Sequence, residues 1–334
     1  MDRVPPVPEG YDNACRAFLQ GLLARGSFNL DEGKQVLAAV FTASRGEDQP
    51  AITADSVSDE DFNTYIGLIR EAVTPLDLDV RQIRDQVSGE RIWAIINMHS
   101  DPSTQLATIH NAEEIAFIKR LLDSMFDTYN TRRMEAMCVT DAQARKVARP
   151  ARGRESIADG DAVRQSVDKG LRRVSEVDAV LTSLVNEGWL QKSRAGFYSL
   201  SPRALMELWG WLNETYSDPD ADGDAWQRIK FCEACKEIVT VGQRCADPDC
   251  HARLHDICQD AYWRTRRERN CPRCDTLWDG KHFVGERAIT ETEAYRRANP
   301  RKGKKSGGVA EALMEENAAE GDEDEDGDSV MVDN

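Results

Sequence analysis

The sequence predicts an α+β multi-domain fold on three observations: a helix, helix, helix, hairpin order of apolar patterns that occurs twice, a run of close Cys and His pairs between Cys232 and Cys274, and an acidic C-terminal tail. A chain of 334 residues has room for two or three domains, and 40% hydrophobic content supports packed cores without being membrane-like. No stretch approaches the roughly 18 uninterrupted apolar residues of a spanning helix. Met1 to Gly10 is proline-rich and acidic rather than basic and then apolar, so neither membrane insertion nor secretion is expected.

In the first module, Phe18, Leu19, Leu22 and Leu23 make one helical stripe, Val36, Leu37, Val40 and Phe41 a second, and Phe62, Tyr65, Ile66, Ile69 and Val73 a third. Leu76 to Val80 then alternates with period two, Ser88-Gly89 supplies a turn, and Arg91 to Ile96 reads as a returning strand. This is the element order of a winged helix. The order recurs from about Leu106 to Tyr216. Glu113-Glu114 opens a helix with Ile115, Ile118, Leu121, Leu122 and Met125, and Leu171, Val174, Val177, Val180, Leu181, Leu184 and Val185 stripe another. Gly188 ends it, residues 189–192 and 196–200 form a short wing, and Pro202 leads a closing helix with Leu205, Leu208, Trp209 and Leu212 inward.

Residues 144–170 are rich in Arg, Gly, Asp and Ser with few large apolar side chains, and read as a flexible insertion. From Arg296 onward the chain is low-complexity and polar, which predicts disorder. The expected boundaries are 1-105 and 106-224 for two winged-helix domains, 225-285 for the metal domain, and 286-334 for a basic then acidic tail.

The net charge of -16 argues at first sight against nucleic acid. Eleven acidic residues and no Lys or Arg lie from Glu311 to Asn334, however, so the charge describes the tail more than the body. Arg296, Arg297, Arg301, Lys302, Lys304 and Lys305 form a split basic run, readable as a nuclear-import signal, a DNA-touching patch or a solvated linker.

Seven of the nine cysteines fall between Cys232 and Cys274. Tight Cys pairs joined by a Cys/His segment point to metal ligation in a reducing compartment rather than to disulfides. The order is Cys232-x2-Cys235, Cys245, Cys250, His255-x2-Cys258 and Cys271-x2-Cys274: four Cys, one His, three Cys. A tetrahedral zinc takes four ligands, so eight imply two structural zinc ions. In compact modules of this size the first and third pairs share one metal, and the second and fourth the other. That cross-brace predicts one site of Cys232, Cys235, His255 and Cys258, and another of Cys245, Cys250, Cys271 and Cys274. His251 competes with His255, and the chelating His-x2-Cys spacing selects His255. Arg244, Arg253, Arg264 and Arg273 are placed to offset the thiolate charge. A piece from about Ala225 to Gly285 is then expected to fold on two zinc ions.

No catalytic residue is expected. Cys15 and Cys138 read as helix-face residues without a His partner, and His99, His110 and His282 lack companion ligands.

Two winged helices followed by such a C4HC3 module resemble the non-SMC element one family, the RING-like subunit of the structural-maintenance-of-chromosomes five/six complex. The resemblance rests on the stretch Ala17 to Gly26, the strand Trp93-Ala94-Ile95-Ile96-Asn97, the helix end Glu187-Gly188-Trp189-Leu190, and Ile229-Lys230-Phe231-Cys232 entering the zinc module. It implies a MAGE-type winged-helix partner, a kleisin partner, and contact with DNA within the complex. It also implies a nuclear, chromosome-associated role in DNA repair and recombination, and partner-dependent activity as a RING-type E3 ubiquitin ligase. Such a ligase is a scaffold that docks a charged ubiquitin-conjugating enzyme and orients its thioester.

Docking of that kind needs exposed apolar residues between the zinc loops. Candidates are Ala234, Ile238, Val239, Tyr262, Trp263 and Pro272. Two positions depart from active RING domains: Ala234 stands where a larger aliphatic side chain is usual, and Asp275 stands where a Lys or Arg clamps ubiquitin. Weak activity without the partner is therefore expected. The alternatives are a zinc-stapled interaction module without activity, and a PHD-type histone reader, which shares the ligand order but places a cage Trp where Arg269 stands.

Overall fold

The computed structural model describes residues 8–46, 49–98, 109–150, 170–217, 226–299 and 307–326, and it is a mixed helix and strand structure. Packing divides the chain into two units. The first takes Met1–Asp101, Glu187–Trp189 and Ser201–Gly210, and the second takes the remainder.

In the first unit the three apolar stripes become α1 (Asn13–Arg25), α2 (Leu30–Arg45) and α3 (Asp59–Val73). Local chemistry starts each helix. The Asp12 carboxylate accepts from Cys15 N, while Asn29 with Glu32 and Ser58 with Asp61 form reciprocal capping boxes that satisfy otherwise orphaned N–H groups. A short strand β1 (Ser27–Asn29), absent from the sequence reading, joins the hairpin β2 (Leu78–Arg84) and β3 (Arg91–Asn97) in the order β1-β3-β2. The hairpin runs from the pair Leu78↔Asn97 to Arg84↔Arg91, and Gly89 takes the positive φ of 77° that its turn requires. The core is aromatic. Phe62 stands edge-on to Trp93 at 5.0 Å and to Phe28 at 6.0 Å, and Phe18 stacks on Phe28 at 5.6 Å.

The segment led by Pro202 differs from expectation. It is two short helices, α7 (Pro202–Glu207) and α8 (Trp209–Tyr216), and α7 packs on β3 of the first unit. Its buried Glu207 accepts a hydrogen bond from Asn97 N at 3.0 Å, which caps the end of the hairpin. Trp209 is 38% exposed rather than inward, because the chain leaves helical geometry at Leu208.

The second unit begins with α4 (Ala112–Asp123), capped by Asn111 and Glu114, and continues through a π-helical turn, Ser124–Thr128. After an irregular stretch come β4 (Val139–Thr140), α5 (Asp141–Lys146), α6 (Val174–Asn186), β5 (Leu190–Lys192) and β6 (Phe197–Leu200). These strands pair in the order β4-β6-β5. The expected insertion begins too early: α5 runs through Lys146, with Ala144 and Ala148 buried, because the Thr140–Gln143 capping box starts a helix there. Residues 151–169, the rest of it, lie outside the described residues.

The zinc module contributes β7 (Gly242–Arg244), β8 (Arg253–Leu254), α9 (Asp256–Arg264) and β9 (Phe283–Val284), with strand order β8-β7-β9. Then follow α10 (Glu286–Thr290), α11 (Glu293–Ala298) and α12 (Gly307–Asp326). The last two correct the expectation of disorder from Arg296. Ala310 and Met314 of α12 are buried, and Gln143 Nε2 donates to Met314 Sδ at 3.4 Å. Acidic composition masked an i, i+4 apolar pair. Arg296 and Arg297 of the basic run are ion-paired to Glu291 and Glu293, whereas 301–305 fall outside the described residues. Among the described residues no helix is long and apolar enough to cross a membrane.

Candidate metal centre

Two matching knuckles build the centre. In the first, Lys236 N donates to Cys232 O at 2.9 Å and Cys232 N to Glu237 O at 2.9 Å; in the second, Asp275 N donates to Cys271 O at 3.1 Å and Cys271 N to Thr276 O at 2.8 Å. The residue after each pair turns the chain through the left-handed region, with φ of 65° at Lys236 and 60° at Asp275. These turns point both sulfurs of each Cys-x2-Cys pair inward.

The groups that result are Cys232, Cys235, His255 and Cys258, and Cys245, Cys250, Cys271 and Cys274, the ligand atoms within each lying within 4.8 Å of one another. Tetrahedral Zn–S bonds of about 2.3 Å imply sulfurs about 3.8 Å apart. Cys245 to Cys274 at 3.4 Å and Cys250 to Cys271 at 3.5 Å come close to that. His255 precedes α9 in extended geometry, and its Nε2–H donates to Ile238 O at 3.1 Å. That contact turns Nδ1 toward Cys235 Sγ at 3.2 Å and Cys258 Sγ at 3.9 Å, and fixes the tautomer a ligand needs. His251 lies outside both groups. Borderline-soft thiolate and imidazole donors in closed sets of four suit zinc, and the two clusters can hold two zinc ions as structural sites.

Arg244 and Arg253 do not serve mainly to neutralise thiolates. They converge with Lys230 on Glu135, which sits in the irregular stretch before β4 and which sequence reasoning did not single out. Arg253 Nε donates to Glu135 Oε2 at 2.7 Å and its Nη2 reaches Oε1; Lys230 Nζ donates to Oε1 at 3.1 Å, and Arg244 Nη1 lies 3.5 Å away. Arg253 also donates from Nη1 to the Cys250 and Ala252 carbonyls, both at 2.7 Å. All four side chains are buried. Burial alone would push the Glu135 carboxyl up, but Lys230 and Arg253 outweigh it and hold the group well below the usual carboxylate range. Burial pushes the Lys230 ammonium below its ordinary value, against the pull of Glu135. Nothing in periodicity marks Glu135; its signal is a lone acid flanked by Met134, Ala136, Met137 and Cys138, all buried with it.

The docking candidates separate by exposure. Ala234 and Pro272 are exposed, and Tyr262 is half-buried with the Arg266 guanidinium 4.3 Å from its ring centre. Ile238, Val239 and Trp263 are buried and so cannot form an exposed patch. Ile238 and Val239 fill the interior behind the first knuckle, and Trp263 packs 5.7 Å from Trp278. The sequence reading also missed Leu277, which is 65% exposed beside the second knuckle, where Asn270 bridges to it. Glu233 of the first knuckle binds Arg273 of the second at 2.5 Å, which sets the two knuckles side by side. Asp275 is exposed and accepts from Asn270 Nδ2 at 3.2 Å.

Interleaved ligand sets on twin knuckles define a zinc-binding RING-like module at the C-terminal side of a helix-and-strand body, and a RING-like domain profile matches residues 232–274. The chain belongs to the family described as the Nse1 non-SMC component of the SMC5-6 complex, whose profile matches residues 15–208. It is similar to the non-structural maintenance of chromosomes element 1 homolog of Homo sapiens, 23% identical over 263 residues, 79% of this chain and 83% of that protein. It is likewise 23% identical over 222 residues to element 1 of Schizosaccharomyces pombe, covering 66% of this chain and 78% of the relative. A chain from a solved Nse1-Nse3-Nse4 complex shares the fold, with a TM-score of 0.59 at 19% identity over 84% of this chain and 99% of its own.

Proposed function

We propose that this protein is a nuclear, chromosome-associated ubiquitin ligase subunit of an SMC5-6 complex, acting in DNA repair and recombination together with a MAGE-type Nse3 partner and a kleisin-type Nse4 partner. The partners are inferred from the solved complex whose chain shares this fold. Residues 1-105 and 106-224 serve as winged-helix modules that carry the MAGE contact; the helix, strand, helix, helix, hairpin order of the first supports that assignment. When bound, the two zinc ions supply shape and hold the knuckles. The chain's own groups do the rest, docking a charged ubiquitin-conjugating enzyme and restricting its thioester to reactive orientations.

The observation that carries this reading is the pairing of the two knuckles through Glu233 and Arg273, with Ala234, Pro272 and Leu277 exposed around it. Single-turnover discharge of a ubiquitin-charged conjugating enzyme to free lysine, with and without the MAGE partner, tests it. Partner-stimulated discharge supports the ligase; none under either condition overturns it. A second reading, a zinc-stapled interaction module without transfer activity, is favoured by the burial of Ile238, Val239 and Trp263, which leaves a small apolar patch.

A further inference from the structure

We propose that a basic pocket on the second unit, beside the loop that runs from Cys245 to Cys250, binds the phosphate of a phosphomonoester, either a small molecule or a phosphorylated side chain. The pocket has a volume of about 400 Å³. Its wall carries the cationic or protonatable groups Arg133, Arg244, Lys281, His282 and Arg287, and the carboxylate of Glu291, which is ion-paired to Arg296; behind the wall Glu135 partners Arg244, Asp256 partners Arg287 and Glu320 partners Arg133. Three guanidiniums arrive from distant parts of the chain: the stretch before β4, the end of β7, and α10.

Two of the three are held in place before any ligand binds. Arg244 donates from Nη1 to Arg132 O at 2.6 Å, and its backbone N donates to His282 O at 3.0 Å. Arg287 meets Asp256 at 2.5 Å and lies 4.0 Å over the Phe283 ring. Fixed forks lose less freedom on binding than mobile ones, and several planar forks converging from different directions suit a tetrahedral dianion better than a flat monoanion. Lys281 is exposed and has no ion-pair partner among the described residues.

Size and lining extend the argument from an ion to an ester. Ligand sites of roughly 300–1,000 Å³ hold small organic molecules, so this pocket exceeds what phosphate alone would fill. Pro248 and Phe283 supply apolar wall for the esterified carbon. Glu320 of α12 is ion-paired to Arg133 of the lining. A bound phosphate would compete with that carboxylate for the same guanidinium.

The test uses zinc-loaded full-length protein, titrated with inorganic phosphate, with a short phosphoserine peptide and with its unphosphorylated form, and followed through the amide resonances of Lys281 to Ala288. Saturable shifts with the phosphorylated probes and none with the unphosphorylated peptide are expected. Lys281→Ala should weaken binding about threefold or more, and Glu320→Gln should strengthen it about twofold or more, the size of effect exposed charges exert. Lys236→Ala, on the first knuckle, should change nothing. Tighter binding of the phosphopeptide assigns the site to a phosphorylated side chain; equal or tighter binding of phosphate assigns it to a free phosphate compound. Loss of saturable shifts in both wild type and Glu320→Gln, or equal affinity in Lys281→Ala and Lys236→Ala, overturns the proposal.

Discussion

Arg253 Nε donates to Glu135 Oε2 at 2.7 Å across 118 residues of sequence, and both side chains are fully buried. This contact locks the zinc module onto the irregular stretch before β4, and Gly285 N reinforces it by donating to Glu135 O at 2.7 Å. Glu135→Ala strands three buried cations and should cost about 3–5 kcal/mol, the penalty for orphaning a buried ion pair. Glu135→Gln keeps the shape and one acceptor and should cost less. Urea denaturation of zinc-loaded protein measures both, and a loss under about 1 kcal/mol for Glu135→Ala would contradict the arrangement.

The same cluster changes what the zinc module can do alone. A piece from about Ala225 to Gly285 keeps every zinc ligand but lacks Glu135, so Lys230 and Arg253 lose the carboxylate they converge on. A piece covering 109–299 should bind two zinc ions per chain and unfold on chelation, whereas the shorter piece should bind zinc more weakly or form aggregates. Zinc content by metal analysis and thermal melting distinguish them. Within the longer piece His255→Ala should lose or loosen one metal, while His251→Ala should retain both.

Backbone geometry makes a separate test. A Cβ on Gly33 would lie 2.4 Å from the Phe62 ring and 2.9 Å from the Phe28 ring, both buried in the first core, so Gly33→Ala should lower stability by about 1–3 kcal/mol through overpacking. Lys236 is exposed with φ of 65°, and Lys236→Gly relieves that strain, leaving stability unchanged or raised by up to about 1 kcal/mol. Chemical denaturation of the two variants should give opposite or clearly unequal shifts.

For the proposed transfer activity, exposure decides which substitutions are informative. Pro272→Ala and Leu277→Ala should keep both zinc ions and reduce discharge about tenfold, as loss of about 1.4 kcal/mol at an interface anchor would. Trp263→Ala should instead melt the module, since that side chain is 7% exposed and packs on Trp278. Asp275→Arg places a cation where active RING modules hold ubiquitin and should raise discharge without the partner. Unchanged discharge in Pro272→Ala, Leu277→Ala and Asp275→Arg alike, with the partner present, would rule out docking at the knuckles.

Local chemistry was legible in the sequence. The helical stripes of α1, α2 and α3 and the hairpin around Gly89 are set by neighbours a few residues away, where side-chain period and turn preference act directly. The zinc ligands were readable for a related reason: chelation demands short, regular spacing within each pair, and the four pairs fall inside 43 residues matched by one domain profile. Long-range packing was not legible. The departure of α7 to β3, the burial of Ile238, Val239 and Trp263, and the docking of α12 through Met314 depend on which surfaces meet. An apolar residue has the same sequence signature whether it covers a partner or fills a core. Glu135 is the sharpest case, because a lone acid carries no period, and its cations come from segments about 100 residues away that tertiary structure alone brings into contact.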